Sequence, residues 1–115
     1  MMNGCLACLP QNNRIVLMMS GGRKSMLLAD ILQRAALKFR VVHFWSTSQK
    51  FNLVALHCLH NGVSLSGNLI VQEDEIALIA QNSGPFKLGR IYRPFYNLDE
   101  NVLVKESNER NLIYI

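Results

Sequence analysis

The sequence contains few cysteines, few charged residues and no long apolar runs, and each of these features excludes a class of protein. Three cysteines are an odd number, which argues against a closed framework of disulfide bonds. Charged residues make up 17% of the chain and hydrophobic residues 50%, a balance typical of a globular domain. No apolar run approaches the roughly 18 to 20 residues that would span a membrane, so we expect no membrane partner. With 115 residues, we expect one domain, 1–115, with a sizeable core.

The first ten residues lack both a basic leader and a long apolar stretch. They therefore predict no signal peptide and favour an intracellular, cytoplasmic protein. We expect residues 1–13 to be a flexible N-terminus. Cys5 and Cys8 form a Cys-x-x-Cys pair that could ligate zinc, but Cys58 and the histidines provide no second pair at a suitable spacing. We accordingly predict no metal and no cofactor, and expect free thiols with Cys58 in the core.

Acidic residues are scarce in the first half of the chain. Residues 1–50 contain seven Lys or Arg and a single acid, Asp30, which gives them a net charge of +6. Residues 51–115 contain five basic and seven acidic residues, and their net charge is −2. This asymmetry favours a polyanionic partner such as RNA, although a charged surface that only confers solubility would have the same composition.

The first half also predicts a strand, a turn, a helix and a second strand. Residues 14–19 are a short apolar run between polar segments, typical of a buried strand. Residues 24–38 repeat apolar side chains at helical spacing and contain good helix formers. Residues 40–45 return to an apolar, β-branched pattern, which predicts the second strand.

From Phe51 onward the apolar period changes to two, which predicts antiparallel strands. Asn61-Gly62 favours a two-residue hairpin turn, and Gly67 inside a strand pattern predicts a sharp bend. The strands are expected at 51–59, 63–72, 76–81 and 86–92, with a last one at 102–105 or 112–115. The predicted fold class is therefore α+β: an N-terminal strand–turn–helix–strand followed by a bent antiparallel meander that closes into a small barrel.

A short motif within residues 51–95 resembles the Sm-like family, including its bacterial host-factor branch, Hfq. The motif consists of Asn61-Gly62, Gly67, Leu69 and Glu73, followed by an apolar strand. The resemblance implies a small Sm-like or SH3-like barrel, RNA binding and a ring formed by pairing of strand edges. Asp74 and Glu75 stand where Hfq has a glutamine and a base-stacking aromatic residue, so the usual RNA pocket of that family is not reproduced.

A late strand mixes cations with aromatic residues. Residues 86–96 alternate them in the composition of a nucleic-acid surface, in which cations hold phosphates and rings stack on bases. The candidate nucleic-acid-binding residues are Lys87, Arg90, Tyr92 and Arg93.

The turn between the first strand and the helix is the second candidate site. A glycine-rich turn before a helix brings backbone N–H groups and the positive helix end to bear on an anion. The candidate phosphate- or nucleotide-binding residues are Gly21, Gly22, Arg23, Lys24 and Ser25. The spacing is not that of a P-loop. Over residues 14–45 the turn resembles that of CRISPR-associated Rossmann-like (CARF) sensor domains, where it grips a cyclic oligoadenylate. It resembles more remotely the Ser-Gly-Gly turn of ATP-pyrophosphatases, whose acidic residue is missing.

These observations predict a non-enzymatic module that binds RNA or a nucleotide and associates with itself. No histidine stands at a diagnostic spacing from a nucleophile, so no catalytic residue is predicted. Two alternatives stay open: a CRISPR-associated cyclic-oligoadenylate sensor or ring-nuclease fragment, and a protein–protein adaptor that pairs through strand edges.

Overall fold

The computed structural model describes residues 6, 7, 9–43, 47–67 and 70–114, and all structural statements concern those residues. Their helices and strands are, in chain order, β1 (Arg14–Met19), α1 (Arg23–Arg34), β2 (Phe39–His43), α2 (Ser48–Asn61), β3 (Ser64–Leu65), β4 (Glu75–Ile79), β5 (Lys87–Leu88), β6 (Ile91–Tyr92) and α3 (Glu100–Glu109). None of the described helices has the length and apolar character needed to cross a bilayer.

The described strands form one mixed sheet in the order β3-β2-β1-β4-β6-β5. All neighbouring strands are parallel except β5 and β6, which are antiparallel. From β1 the chain first moves outward through β2 to β3, and then crosses back to place β4 on the other side of β1. The direction of strand addition therefore reverses at β1, and the connections leaving β1 and β4 diverge at their carboxyl ends.

The predicted opening of strand, turn, helix and strand is confirmed. β1 is apolar on both faces because it lies at the centre of the parallel part of the sheet, and Val16 and Leu17 are both almost fully buried. In α1 the fully buried Leu28, Ile31 and Leu32 follow helical spacing and form the face that packs on the sheet.

The helices cover one face of this sheet. Side chains alternate along a strand, and Ile15, Leu17 and Met19 of β1 belong to one apolar cluster. The same cluster contains residues from all three helices, including Val54 of α2 and Leu103 of α3. α1 and α3 are also tied by Arg110, which donates to Asp30 at 2.6 Å.

The predicted strand at 51–59 and the hairpin at Asn61-Gly62 are wrong, because this segment is the helix α2. The Thr47 side chain accepts a hydrogen bond from the backbone N–H of Lys50 and caps the helix start. Gly62 does adopt a positive φ, 65°, but as the left-handed residue that ends the helix. Val54 and Cys58 are four residues apart and both buried, so one helical stripe faces the sheet.

The small barrel is not formed either, although the α+β class is confirmed. The sheet of the described residues is open, with β3 and β5 at its edges. β3 has only two residues, and no described atom lies within 4 Å of a Cβ placed on Gly67, so none of the described strands packs closely against it. The strand predicted at 102–105 belongs to the helix α3, and residues 112–114 form no strand.

An ion pair between the partly exposed Arg40 and the buried Glu75 anchors the connection between β3 and β4. The Glu75 carboxylate accepts from Arg40 Nε at 2.8 Å and from the backbone N–H of Gln72 at 2.9 Å. Arg40 also donates to the Ser66 hydroxyl and to the Ile70 carbonyl. The hydrogen bond from Arg40 is the main reason that the pKa of Glu75 falls to about 2 despite burial. The pair therefore holds the returning chain against β2 and β4.

Several sequence predictions fall on residues that the structure does not describe: the Cys5 and Cys8 pair, and Leu69 of the Sm-like motif. Cys58 is a buried free thiol in the core, as expected. Leu6 and Leu9, within the N-terminal segment expected to be flexible, are buried in the apolar cluster.

Candidate functional site

A cleft of about 530 Å³ lies at the carboxyl ends of β1 and β4, where the order of the strands reverses. Parallel strands end at the same edge of a sheet, so the residues that follow them converge there. The cleft is lined by Met18, Ser20, Gly22, Arg23, Lys24, Ser25, Lys50, Ile79, Ala80, Gln81 and Tyr114. Four of the five residues predicted for phosphate binding thus line one cleft, and the fifth, Gly21, lies within the same turn.

The start of α1 opens into this cleft without a side-chain cap. Gly22 is the cap residue, and having no side chain it satisfies none of the amide groups of the first turn. The first turn contains no acidic residue, and begins with Arg23 and Lys24. Cations are unfavourable at the positive end of a helix dipole, where acidic side chains are usually preferred. A bound anion at this position would accept hydrogen bonds from the uncapped amides and offset the repulsion between the cations and the dipole.

The turn itself is held by hydrogen bonds to its own hydroxyl groups and by contact with α2. The backbone N–H of Gly21 donates to Ser25 Oγ at 3.1 Å, and that hydroxyl donates to the carbonyl of Gly22 at 3.0 Å. The N–H of Gly22 donates to Ser20 Oγ at 3.3 Å. Gly21 has a φ of 90°, and a Cβ there would lie 2.9 Å from the Lys50 carbonyl oxygen. Only glycine therefore fits between the turn and α2, and Ser25 shapes the turn through both of its hydrogen bonds.

The cations of the turn are paired with a carboxylate from α3. Arg23 Nη2 donates to Glu100 Oε2 at 2.8 Å, and Lys24 forms an ion pair with the other oxygen of Glu100. The hydrogen bond from Lys24, with help from Arg23, lowers the pKa of Glu100, so its carboxylate is charged at neutral pH. Lys24 also donates to Asn82 Oδ1 at 2.8 Å. The guanidinium of Arg23 lies 5.9 Å from the centre of the Tyr114 ring.

The residues predicted for nucleic-acid binding are divided between the two ends of the sheet. Arg93 follows β6 at the cleft end, where its Nε donates to Gln81 at 3.4 Å. Arg90 instead donates to the carbonyl of Gln72, near the amino end of β4. Lys87 lies over the Tyr92 ring at 5.7 Å, and Tyr92 is itself buried, with 7% of its surface exposed. Of these four residues, Arg93 is the one with a described hydrogen bond to a residue of the cleft lining, Gln81.

Other reactive groups lie apart from the cleft. Burial raises the pKa of the Cys58 thiol and lowers that of His57. A second hollow of about 450 Å³, lined largely by apolar residues such as Leu9 and Leu37, lies beside Arg14 at the start of β1. Within the described ranges, no three histidine, cysteine, aspartate or glutamate side chains cluster in a way that could hold a metal ion.

Among the polar and aromatic residues of the lining, sequence reasoning missed Lys50, Gln81 and Tyr114, and it also missed Glu100, which pairs with the cations of the turn. Gln81 immediately follows an apolar run that was correctly predicted as a strand, and a parallel sheet would have placed it beside the turn. Lys50 lies in the first turn of α2, a helix that the sequence pattern did not predict. Glu100 and Tyr114 reach the site because α3 and the residues after it pack beside the turn, a long-range arrangement that a local sequence pattern does not specify.

No protein-family model matches the chain, and no curated protein resembles it closely enough to count as a relative. What the cleft can do therefore follows from its own geometry. It presents free amide groups, two cations and a neighbouring lysine to a concave space that is large enough for a small organic molecule with an anionic group.

Proposed function

We propose that this protein binds a phosphate-bearing nucleotide in the cleft, with the phosphate at the Ser20–Ser25 turn. The observation that supports it most is the uncapped start of α1, which places two cations and free amide groups at the point where the strand order reverses. Ligands of open parallel sheets bind outside the carboxyl ends of the strands at such a point.

The size and charge of the cleft favour a nucleotide over a lone phosphate. Its volume of about 530 Å³ lies within the range of roughly 300–1,000 Å³ typical of small-molecule sites. Arg23, Lys24 and Lys50 supply three positive charges to the lining, and Met18 and Ile79 add apolar surface. This combination suits a ligand with an anionic group joined to a less polar body.

A nucleotide is favoured over polymeric RNA as the ligand of the cleft, and the test includes RNA as a probe. Of the basic residues predicted for an RNA surface, Arg90 lies at the opposite end of the sheet from Lys87 and Arg93, and the buried Tyr92 ring offers no exposed face for stacking. The turn is also the element on which the resemblance to cyclic-oligoadenylate sensors depends, so a cyclic oligonucleotide belongs among the probes.

The test is a double substitution, Arg23→Ala with Lys24→Ala. We expect it to weaken binding of ATP at least ten-fold, because charge-assisted hydrogen bonds contribute about 1.5–3 kcal/mol each. Isothermal titration calorimetry would compare ATP, cyclic tetra-adenylate and a 12-nucleotide single-stranded RNA in buffer without phosphate.

The matched control removes one cation at the other end of the same helix and one in the segment that follows it. Arg34→Ala with Lys38→Ala changes the net charge equally but leaves the cleft intact, and we expect its affinity for ATP to stay within two-fold of the unmodified protein. Equal losses in the two double variants would indicate only a general charge effect. Unchanged affinity in the Arg23/Lys24 variant would contradict the proposal.

Self-association is a separate proposal about partners. The described sheet ends in the short edge strands β3 and β5, whose outer backbone groups have no strand neighbour among the described residues. Pairing of such edges between copies would satisfy those groups, and would also serve the adaptor function that the sequence left open. Sedimentation velocity at high micromolar concentration checks it, and a mass near 13 kDa would contradict it.

A further inference from the structure

The cations of the glycine-rich turn already hold an anion that belongs to the chain itself. Glu100 is the first residue of α3 and lies 77 positions after Arg23. One of its oxygens accepts from Arg23 and the other pairs with Lys24. A ligand phosphate would engage the same two side chains in the same way, with one oxygen for each cation.

The carboxylate does not fill the cleft, because it approaches the cations from beside it. Glu100 is absent from the cleft lining, and its described polar contacts are with the side chains of Arg23 and Lys24 alone. The amide groups at the start of α1 therefore stay open to a ligand. Arg23 Nε is buried and has no hydrogen-bond partner among the described residues, so Glu100 satisfies the guanidinium only in part.

We propose that Glu100 is an internal competitor of the ligand: its carboxylate holds Arg23 and Lys24 in the free protein, and binding must release them. This inference rests on the proposed function of the cleft. It makes the contact between α3 and the turn an autoinhibitory one, which breaks when a phosphate takes its place. The affinity observed for a ligand is then lower than the cleft alone would give, by the free energy of the broken contact.

Release of the contact has a consequence beyond the cleft. Lys24 also donates to Asn82, and Asn82 Nδ2 donates to the carbonyl of Leu98 just before α3. Lys24 is therefore joined to the start of α3 in two ways. It pairs directly with Glu100, and it is linked through Asn82 to the carbonyl of Leu98. If the phosphate draws Lys24 away, we expect the first turn of α3 to exchange its amide hydrogens faster with ligand than without.

The experiment compares Glu100→Gln with Asp99→Asn, using magnesium-free ATP and inorganic pyrophosphate as probes in isothermal titration calorimetry. Asp99 is the neighbouring residue, is exposed, and makes no side-chain capping bond, so its substitution removes the same charge without breaking the contact. We expect Glu100→Gln to bind either probe about three- to ten-fold more tightly, as expected from the loss of two exposed ion pairs. Asp99→Asn should stay within two-fold of the unmodified protein.

The outcomes separate this inference from the function on which it rests. Binding by the unmodified protein with equal or weaker binding by Glu100→Gln would overturn the inference alone, since Glu100 would then position the cations rather than compete. Equal tightening in both variants would show a general charge effect and would also overturn it. Failure of every variant to bind either probe would contradict the proposed function. Hydrogen exchange at residues 100–104 that ATP leaves unchanged or slows would count against the release.

Discussion

Gly21 illustrates how one residue fixes the position of the candidate site. Its φ of 90° is a conformation that residues with a side chain rarely adopt, and the Lys50 backbone and Cβ lie 2.9 Å from where its own Cβ would stand. The turn is therefore pressed against the first turn of α2, and the same contact brings Lys50 to the cleft. Gly67 differs in both respects, since its surroundings are open and its φ is not positive.

We expect Gly21→Ala to lower the free energy of unfolding by roughly 2–3 kcal/mol, because strain in φ and a collision with backbone act together. Urea denaturation followed by circular dichroism measures it. Gly67→Ala is the matched control, and should change the free energy of unfolding by less than about 0.5 kcal/mol. A Gly21→Ala variant as stable as that control would show that the turn and α2 are not packed as described.

Helices and strands were predicted correctly from the sequence where the periodicity of the apolar residues matches the environment of the element in the fold. β1, α1, β2 and β4 were predicted within a few residues, because a central parallel strand is apolar throughout and an amphipathic helix repeats at its own period. The turn between β1 and α1 was predicted as a phosphate site on the same local grounds. The part of the cleft that follows β4 was not predicted, because it depends on β4 lying beside β1 in the sheet.

The failure at α2 has a physical cause. Residues 53–56 are apolar without interruption, so the segment fits a strand period as readily as a helical one. Thr47 caps the start of the helix and the left-handed Gly62 ends it. Gly62 was no guide in the sequence, because glycine after asparagine is equally favourable in a hairpin turn. α3 was missed because its buried stripe is narrow: only Leu103 and Ser107 are buried.

The ion pair of Arg40 and Glu75 joins β2 to β4 across β1, and predicts how the sheet responds to acid. Glu75 has a pKa of about 2, below its ordinary value of 4.5. A lowered folded-state pKa contributes stability above the unfolded value, and that contribution is lost as the pH falls from about 4.5 toward 2. At neutral pH it amounts to roughly 3 kcal/mol, from about 1.4 kcal/mol per unit of pKa.

Glu75→Gln should therefore destabilise the protein by roughly 3 kcal/mol at pH 7, and leave Arg40 without its charge partner. The difference between the variant and the unmodified protein should shrink as the pH is lowered from 5 to 2, which urea melts at several pH values would measure. Glu73→Gln, an exposed neighbour, serves as the control and should have little effect at any pH. A difference that stays constant down to pH 2 would contradict the assignment to this carboxylate.

Across the whole molecule, the two oppositely charged halves of the sequence are brought together by the fold. Acidic residues of the second half pair with basic residues of the first. The ion pairs of this kind are Arg14–Asp74, Arg23–Glu100, Lys24–Glu100 and Arg40–Glu75, and in the opposite sense Arg110 of the second half pairs with Asp30 of the first. Arg34 is paired with Asp30, the only acid of the first half. The three carboxylates of the second half thus offset half of the excess of +6 in residues 1–50.

This internal pairing predicts how binding of a single-stranded RNA would depend on salt. Each phosphate neutralised on a single strand contributes about −0.7 to the slope of log affinity against log salt concentration. Contact through Arg23, Lys24 and Lys50 alone gives a slope of about −2, whereas a surface that used all seven cations of residues 1–50 would give about −5. We expect the smaller value for a 12-nucleotide RNA, measured by fluorescence anisotropy between 50 and 200 mM salt.

Arg14→Ala provides the control for that measurement. Arg14 is exposed, paired with Asp74 and distant from the cleft, so its removal should leave the slope unchanged. A slope near −5 that became less steep with Arg14→Ala would mean that RNA displaces the internal ion pairs and spreads over the basic half of the chain. The protein would then be an RNA-binding surface rather than a nucleotide-binding cleft. A slope near −2 that Arg23→Ala reduces and Arg14→Ala leaves alone would confine the phosphate contacts to the turn.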